Sequence, residues 1–268
     1  MKASLIISVY KNIRFLKPVL DSLHFQTEKD FETIISEDGE SPEMKEFIAG
    51  YPFEMPYKHI TRKDEGWRKN HCLNSAIRAS EADWLIFIDG DCVLHPRFIE
   101  MHLHHAEVNK ILAGKRVKLD DYMTEYILDN SDNIRNLQQI LLRKMFFGKG
   151  KIKFIEEGIF ISPESILRII PRNRKNDKLV GCNMSFSKEA IYAINGFDED
   201  YKLPAVGEDY DLAWRLKAAG FQLVSMRNLA VQYHLSHPEG YNQDFNLNLC
   251  RQKQEINEFV CKNGLDKH

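Results

Sequence analysis

The N-terminal third of the chain alternates between two hydrophobic patterns. The short, β-branched apolar runs SLIISV, FETIISE and DWLIFID predict buried strands, and YKHITR predicts a shorter one. The stretches NIRFLKPVLDSLHFQ, SPEMKEFIAG and RKNHCLNSAIRAS lie between them and carry helical spacing or helix caps. Strands that alternate with helices form parallel sheets covered on both faces. The pattern therefore predicts an α/β fold with a mostly parallel central sheet flanked by helices, and a ligand at the carboxyl ends of its strands.

Composition excludes several classes of protein. The chain has 268 residues, a formal net charge of −2 and five widely spaced cysteines without a C-x-x-C pair. The charge gives no general attraction to nucleic acid, and an odd cysteine count argues against a disulfide framework. No apolar run approaches the ~18 residues that a membrane span needs, and the N-terminal run is too short for a signal peptide. We expect a cytoplasmic protein. The alternative is a cytoplasmic protein that contacts the inner face of the cell membrane peripherally.

The first candidate site is LIFIDGDCVLHP, where Asp89 and Asp91 flank Gly90 at the end of a predicted strand. Neighbouring carboxylates repel each other unless a cation lies beside them, and glycine allows a sharp turn and close approach. Oxygen ligands suit Mg²⁺ or Mn²⁺, which in turn suit phosphates. A plain polar turn is the alternative, but the apolar strand in front favours a metal site. We expect Cys92 to be a small packing residue.

Two histidines, His234 and His237, follow another predicted strand in HLSHP. A neutral imidazole would complete a site with two aspartates and would favour Mn²⁺ over Mg²⁺. The alternative is a solvated strand end. The other histidine group, HLHH, is predicted to lie on the surface of an exposed helix. It consists of His102, His104 and His105.

Two further polar clusters are candidates for chemistry. GEDYD places Glu208, Asp209 and Asp211 at a predicted helix N-terminus, where an acid is either an N-cap or a general base for a hydroxyl nucleophile. DEGWRKNHCLN contains Arg68, which either reaches a diphosphate or is an ordinary surface arginine.

Taken in order, these segments resemble the family-two inverting glycosyltransferases of the GT-A fold. The resemblance rests on IISVYKN, SEDGE, DEGWRKNHCLNSAI, WLIFIDGDCVLHPRFI, GCNMSFSKEAIYAINGFDEDY and GEDYDLAWRLKAAGF. The later segments are similar to the bacterial chondroitin-polymerase and β-1,4-galactosyltransferase branch. The resemblance implies one GT-A (nucleotide-diphospho-sugar transferase) domain over 1–268. Its parts would be a nucleotide-binding half at 1–110, a helical and basic insertion at 111–178, and an acceptor-binding half with a C-terminal helix at 179–268.

The resemblance also implies roles for individual residues. Asp89 and Asp91 fall on the family's D-x-D, which binds Mn²⁺ (or Mg²⁺) and the diphosphate of the nucleotide sugar. His234 falls on the C-terminal metal ligand, with His237 as a rival or second ligand. Asp209 falls on the catalytic base. Glu208 stands beside Asp209, and the residues expected to bind the donor are Val9, Tyr10, Asp38, Asp64, Arg68, Asn74, Asp89, Gly90 and Asp91.

Two departures from the family pattern concern specificity. Glu37 and Glu40 replace an acid and a serine in the loop where Asp38 would contact the uracil. Tyr210 replaces an acid that often touches the acceptor sugar in this branch. The donor sugar, the acceptor and the oligomeric state therefore stay open.

The implied activity is transfer of a hexose or N-acetylhexosamine from a UDP-sugar to a hydroxyl of a glycan or lipid-linked oligosaccharide, in bacterial surface polysaccharide synthesis. A sugar-nucleotidyltransferase is one alternative, although SVYKNIRF lacks the expected glycine-rich loop. A non-catalytic sugar-nucleotide-binding protein is another.

The basic segments 143–153 and 168–178 carry apolar side chains among their charges, a combination that predicts contact with an anionic membrane. The alternative is that both segments are solvated loops. The apolar residues in question are Phe146, Phe147, Ile169 and Ile170. At the end of the chain we expect a long helix over Asn242–Asn263 with Phe245, Leu249, Ile256 and Phe259 toward the body.

Overall fold

The computed structural model describes residues 1–147, 151–207, 209–238 and 244–266, without the side chains of 145–147. The strands in this part are β1 (Ala3–Val9), β2 (Phe31–Glu37), β3 (Tyr57–Ile60), β4 (Trp84–Asp89), β5 (Cys92–Leu94), β6 (Lys110–Ala113), β7 (Val117–Lys118), β8 (Met184–Ser187), β9 (Gln222–Ser225) and β10 (Gln232–His234). The α-helices are α1 (Ile13–Leu23), α2 (Pro42–Gly50), α3 (Lys69–Ala79), α4 (Phe98–His104), α5 (Asp121–Asp129), α6 (Leu137–Phe147), α7 (Ile169–Asn173), α8 (Lys188–Ala193), α9 (Tyr210–Ala218) and α10 (Asp244–Glu255). Short 3₁₀ helices span Ser131–Asn136, Ile155–Gly158 and Ile166–Arg168.

The central sheet has the strand order β3-β2-β1-β4-β8-β6-β9. Strands β3, β2, β1 and β4 run parallel to one another, as do β6 and β9, whereas β8 runs antiparallel to β4 and β6. The predicted mostly parallel sheet is therefore confirmed. In its register Ser8 lies opposite Asp89, so the ends of β1, β2 and β4 meet at one edge of the sheet.

Strand β4 is buried on both faces. Leu85 and Phe87 pack in the hydrophobic cluster that includes residues of α3 and α9, whereas Ile86 and Ile88 pack in the cluster that includes residues of α1. This alternation is the period of two expected of a strand. Full burial of each such side chain stabilises the fold by about 1.5–3 kcal/mol, so β4 is a rigid support for Asp89 at its end.

A smaller sheet, with the order β5-β10-β7, joins the C-terminal half to the turn after β4. Strand β10 runs antiparallel to β5, with His234 opposite Cys92. The backbone N–H of Leu235 also donates to the carbonyl of Asp91 at 2.9 Å. This pairing brings the histidines of HLSHP beside the aspartates of DGD.

The predicted helix signals in two places are confirmed. The Ser41 hydroxyl accepts a hydrogen bond from the Met44 N–H at 3.2 Å, with Pro42 at the first helical position of α2. Gly220 follows α9 with φ +94°, a conformation that glycine adopts without steric cost. The predicted face of α9 is confirmed at Leu212 and Leu216, which are fully buried.

The middle of the chain packs against the N-terminal half. Met123, Ile127, Leu137 and Leu141 lie in the same hydrophobic cluster as Leu16 of α1. The amphipathic helix predicted there is present as α6. None of the helices in the described part of the chain has the length and apolar character needed to cross a membrane.

Two predictions about the fold are wrong. Helix α10 ends at Glu255, not at Asn263, and Phe245 and Ile256 are exposed to solvent. His102 is fully buried in α4, not on the surface, with its ring nitrogens near Ser185 Oγ (2.8 Å) and Asn183 Oδ1 (3.2 Å). Burial lowers the pKa of His102 to about 3, so this imidazole is neutral in the core.

Candidate active site

The turn between β4 and β5 requires a glycine. The N–H of Gly90 donates to the Ser8 carbonyl at 2.8 Å, which draws the turn against the end of β1. A Cβ atom at this position would lie 2.6 Å from Cγ1 of Val9 and 3.2 Å from the Ser8 oxygen. The close approach leaves no room for a side chain, and it sets Asp89 and Asp91 on either side of the contact.

Asp91, His234 and His237 form the group most suited to a cation among the described residues. Their ligand atoms all lie within 4.8 Å of one another. Oδ2 of Asp91 lies 3.0 Å from Nε2 of His237 and 3.5 Å from Nε2 of His234. Burial opposes ionisation of Asp91, but the hydrogen bond with His237 and the charge of His234 prevail and lower its pKa to about 2.

Asp89 lies outside that group of three and pairs with a lysine. Nζ of Lys69, the first residue of α3, lies 2.8 Å from Oδ1 of Asp89. Both side chains are largely covered, with 16% and 24% of their surfaces exposed. The two aspartates of DGD thus differ in their surroundings, since Asp91 faces imidazoles and Asp89 faces an ammonium group.

Asp209 is the N-cap of α9. Its Oδ1 accepts a hydrogen bond from the N–H of Tyr210 at 2.6 Å. Burial raises the pKa of Asp209, and nearby Asp89 adds to this, while the Tyr210 hydrogen bond, Lys69 and Arg116 oppose it. Such a carboxylate binds a proton more readily than a solvated one, as a general base requires.

Two cavities meet at the DGD turn. The larger, about 700 Å³, is lined by Asp209, Arg116, Tyr210 and Trp214 among others. The smaller, about 610 Å³, is lined by Val9, Tyr10, Asp38, Gly90 and Trp67 among others. The residues that line both are Lys69, Asp89, Asp91, Pro204 and His237. The arrangement offers one cavity for each of two substrates, with the aspartates at the junction.

The family model for glycosyl transferase family 2 matches residues 4–170, which is more than half of the chain. This chain belongs to glycosyl transferase family 2. A second model, described as the N-terminal domain of galactosyltransferase, matches residues 168–238. The family predicted from the motifs is confirmed.

Individual relatives of this family-2 chain are distant. The hyaluronan synthase of Pasteurella multocida is 21% identical over 250 residues, which are 90% of this chain but only 25% of the synthase. Residues 1–349 of S. aureus TarS, in complex with UDP-GlcNAc, have a TM-score of 0.57 at 15% identity, with 90% of this chain and 60% of that TarS fragment covered. The mannosyltransferase PcManGT from Pyrobaculum calidifontis, in complex with GDP-Man and Mn²⁺, has a TM-score of 0.55 at 13% identity, covering 96% of this chain and 62% of that one. These structures share the GT-A fold with the chain.

The donor set of the family-2 chain fits a transition-metal ion. One carboxylate oxygen and two imidazole nitrogens suit Mn²⁺ better than Mg²⁺, which prefers oxygen ligands. Burial lowers the pKa of His234, with the charge of Asp91 opposing it, and this favours the neutral ring whose lone pair a metal binds. Both His234 and His237 place a ring nitrogen in the group whose ligand atoms lie within 4.8 Å of one another.

The structure places two predicted donor-binding residues away from the cavities described above. The Arg68 guanidinium donates to the Trp67 carbonyl and lines a separate cavity with His71; only its backbone N–H reaches Asp38, at 2.6 Å. Asn74 is fully buried and bonds both backbone groups of Phe197, at 2.9 Å and 2.8 Å. These contacts are structural ones.

Two further residues predicted to belong to the site are Asp64 and Glu208. Asp64 accepts hydrogen bonds from Lys11 (2.6 Å) and from the Tyr10 hydroxyl (3.3 Å), and so orders a residue that lines the smaller cavity. Glu208 lies outside the described residues.

Two cations that line the larger cavity, Lys69 and Arg116, were not predicted as site residues from the sequence. Lys69 adjoins Arg68 in the segment DEGWRKNHCLN. Its position at the start of the predicted helix, now α3, could have indicated a role at the site. Arg116 precedes β7, and its guanidinium donates to Sγ of the buried Cys182 at 3.4 Å. No motif marks Arg116, since a single arginine in a loop resembles any surface cation.

Proposed function

We propose that the chain is an inverting glycosyltransferase that moves a hexose or N-acetylhexosamine from a UDP-sugar to a hydroxyl of a glycan acceptor. The observation that supports this is the junction of the two cavities. Asp91, His237 and Lys69 lie where the cavities meet, and Asp209 lines the larger one. A metal–diphosphate site and a candidate base thus border the space where two substrates would touch.

The donor would occupy the smaller cavity. Asp38, which lines this cavity, is 6% exposed, accepts a hydrogen bond from the Arg68 N–H, and would accept another from the uracil. Asp91 and His237 line this cavity, and together with His234 they would hold Mn²⁺ (or Mg²⁺), which when bound supplies positive charge to the diphosphate leaving group. Lys69 adds a fixed cation at the same place.

The acceptor would occupy the larger cavity and be activated by Asp209. Asp209 takes the proton of an acceptor hydroxyl as the hydroxyl oxygen bonds to the anomeric carbon and the bond from that carbon to the UDP oxygen breaks. Attack from the face opposite the leaving group inverts that carbon, so an α-linked donor yields a β-glycoside. The raised pKa of Asp209 suits this role.

The lining of the larger cavity supports the proposed acceptor class. Tyr210 and Trp214 are aromatic surfaces on which sugar rings can lie, and the cavity is open to solvent at Lys217, which is exposed. We assign a glycan or lipid-linked oligosaccharide acceptor, in bacterial surface polysaccharide synthesis.

A panel of UDP-galactose, UDP-N-acetylgalactosamine and UDP-glucose, assayed for UDP release with Mn²⁺, tests the proposal. We expect one donor to be favoured and an Asp209→Asn variant to lose about 10²–10⁴-fold in rate while still binding UDP. Asp129→Asn, which removes an exposed carboxylate at the end of α5, is the matched control and should keep full activity. Full transfer activity in Asp209→Asn would show that the base is assigned wrongly.

Two further measurements test the alternative classes of protein, the nucleotidyltransferase and the non-catalytic binding protein. A nucleotidyltransferase would form a UDP-sugar and pyrophosphate from UTP and a sugar 1-phosphate. A non-catalytic binding protein would bind UDP by isothermal titration without releasing UDP from any sugar donor. Either result would overturn the proposed transfer reaction.

A further inference from the structure

The segment 166–178 contains both exposed apolar side chains and exposed cations. It contains the 3₁₀ helix Ile166–Arg168 and helix α7. The exposed fractions of its apolar residues are 94% for Ile166, 54% for Leu167, 61% for Ile169 and 42% for Ile170. Four large aliphatic residues within five positions, all exposed, are more than the scattered single residues usual on a soluble surface.

The cations of this segment divide into two kinds. Arg174 is structural, because it pairs with Glu157 at 3.0 Å and donates to Asn228 at 2.6 Å. Across the described residues, by contrast, no carboxylate forms an ion pair with the remaining four. These are Arg168, Arg172, Lys175 and Lys178. Their positive charge is therefore available to an external anion.

The segment leads directly from the catalytic cavity. Asp177 and Lys178 line the larger cavity of the candidate active site. Asp177 also lines a separate cavity of about 660 Å³ whose wall includes Arg168, Arg172 and Lys175. A flat anionic surface against this segment would thus lie beside the opening where the acceptor would enter.

We propose that segment 166–178 docks the protein on an anionic lipid bilayer, with Ile166, Leu167, Ile169 and Ile170 in the interface. The lipid surface is the occupant that satisfies both features, since its phosphates match the four cations and its acyl boundary takes the aliphatic side chains. The consequence of docking for a lipid-linked acceptor rests on the proposed function, whereas docking itself does not.

Contact of the other basic segment, 143–153, with an anionic membrane stays a prediction from the sequence. Residues 148–150 and the side chains of Phe146 and Phe147 lie outside the described residues. The proposal uses segment 166–178 alone.

Co-sedimentation of the whole chain with vesicles tests the proposal. Vesicles of phosphatidylcholine with phosphatidylglycerol should bind the protein at low salt, and high salt should weaken the binding. Vesicles of phosphatidylcholine alone should bind much less. The double variant Arg172→Glu/Lys175→Glu should weaken binding by about tenfold or more. Lys45→Glu/Arg251→Glu makes the same charge change at exposed cations elsewhere and should bind more tightly than the first variant.

The apolar part of the surface has its own test. Ile166→Ser/Ile169→Ser should lower binding at high salt, and Ile256→Ser, at an exposed isoleucine of similar accessibility, should not. Because the five native cysteines are buried, an Ile166→Cys variant can be labelled there with an environment-sensitive dye. Its emission should shift to the blue on anionic vesicles.

Three results would overturn the proposal. One is the absence of binding to anionic vesicles at low salt by the folded protein. Another is equal binding by the two charge variants. The third is equal retention by a soluble polyanion without a blue shift, which would make this a general polyanion site. Each result is obtained without a transfer assay, so failure of docking and failure of the proposed activity are distinguishable.

Discussion

Nε2 of His237 lies 3.0 Å from Oδ2 of Asp91, although 146 positions separate the two residues in the chain. The contact depends on the small sheet in which β10 pairs with β5, because that sheet carries HLSHP to the DGD turn. His237 also lines both cavities of the site. The candidate metal site is therefore formed by tertiary contacts, and the predictions below test its parts separately.

Substitution of Gly90 by alanine should destabilise the protein by about 1–3 kcal/mol, because the new Cβ would overlap with Val9 and the Ser8 carbonyl. Denaturant unfolding measures this. Gly50→Ala is the control, since no atom lies within 4 Å of a Cβ built there, and its stability should be unchanged or slightly higher. Equal stability of the two variants would contradict the close approach of the turn.

Lys69 and Arg68 are adjacent cations with different predicted effects. Lys69→Met should weaken UDP binding in the presence of Mn²⁺ by about ten- to a hundredfold, the range for loss of a charged hydrogen bond. Arg68→Met should change it less than about twofold, because its guanidinium faces another cavity. Isothermal titration measures the UDP affinity of both variants. A larger loss of affinity in Arg68→Met than in Lys69→Met would support the diphosphate role of Arg68 that the family resemblance implies.

Substitutions of Asp209 and Asp211, which are two residues apart, should affect different properties: the first transfer activity, the second the free energy of unfolding. Asp211 is fully buried and pairs with Arg215 at 2.6 Å, so Asp211→Asn should cost about 3–5 kcal/mol of unfolding free energy. The pKa of Asp209 is raised in the folded protein, so ionisation of Asp209 opposes folding above its unfolded pKa. Asp209→Asn should therefore keep or increase the free energy of unfolding at neutral pH, while the transfer rate falls by about 10²–10⁴-fold.

The dependence of the transfer rate on pH should reflect the ionisation of Asp209. A general base must be deprotonated, so kcat should rise with pH through a value above the ordinary aspartate pKa of 3.8. Asp209→Glu should retain measurable activity with a displaced acidic limb, which a purely structural role would not produce. An acidic limb that is identical in the wild type and Asp209→Glu would assign the titration to another group.

Local signals predicted much of the fold, and tertiary contacts decided the rest. The Ser41 cap and the strand that ends in Asp89 could be read because their causes lie within a few residues. The side-chain directions of Arg68 and Lys69 could not, because one step along a helix start turns a side chain through about 100°. His102 did have a local signal, since Phe98, Ile99, Met101 and His102 share the buried side of α4. That spacing indicates a core position, which the polar side chain obscured.

The direct measurement of the central claim is Mn²⁺ binding, followed by electron paramagnetic resonance in the presence and absence of UDP. Asp129→Asn should bind Mn²⁺ as the wild type does, and Asp91→Asn should lose at least about tenfold in Mn²⁺ affinity. His234→Ala and His237→Ala should each weaken it as well. Mn²⁺ affinity that is equal in the wild type, Asp91→Asn and both histidine variants would contradict the assignment of this group as the metal site of the transferase.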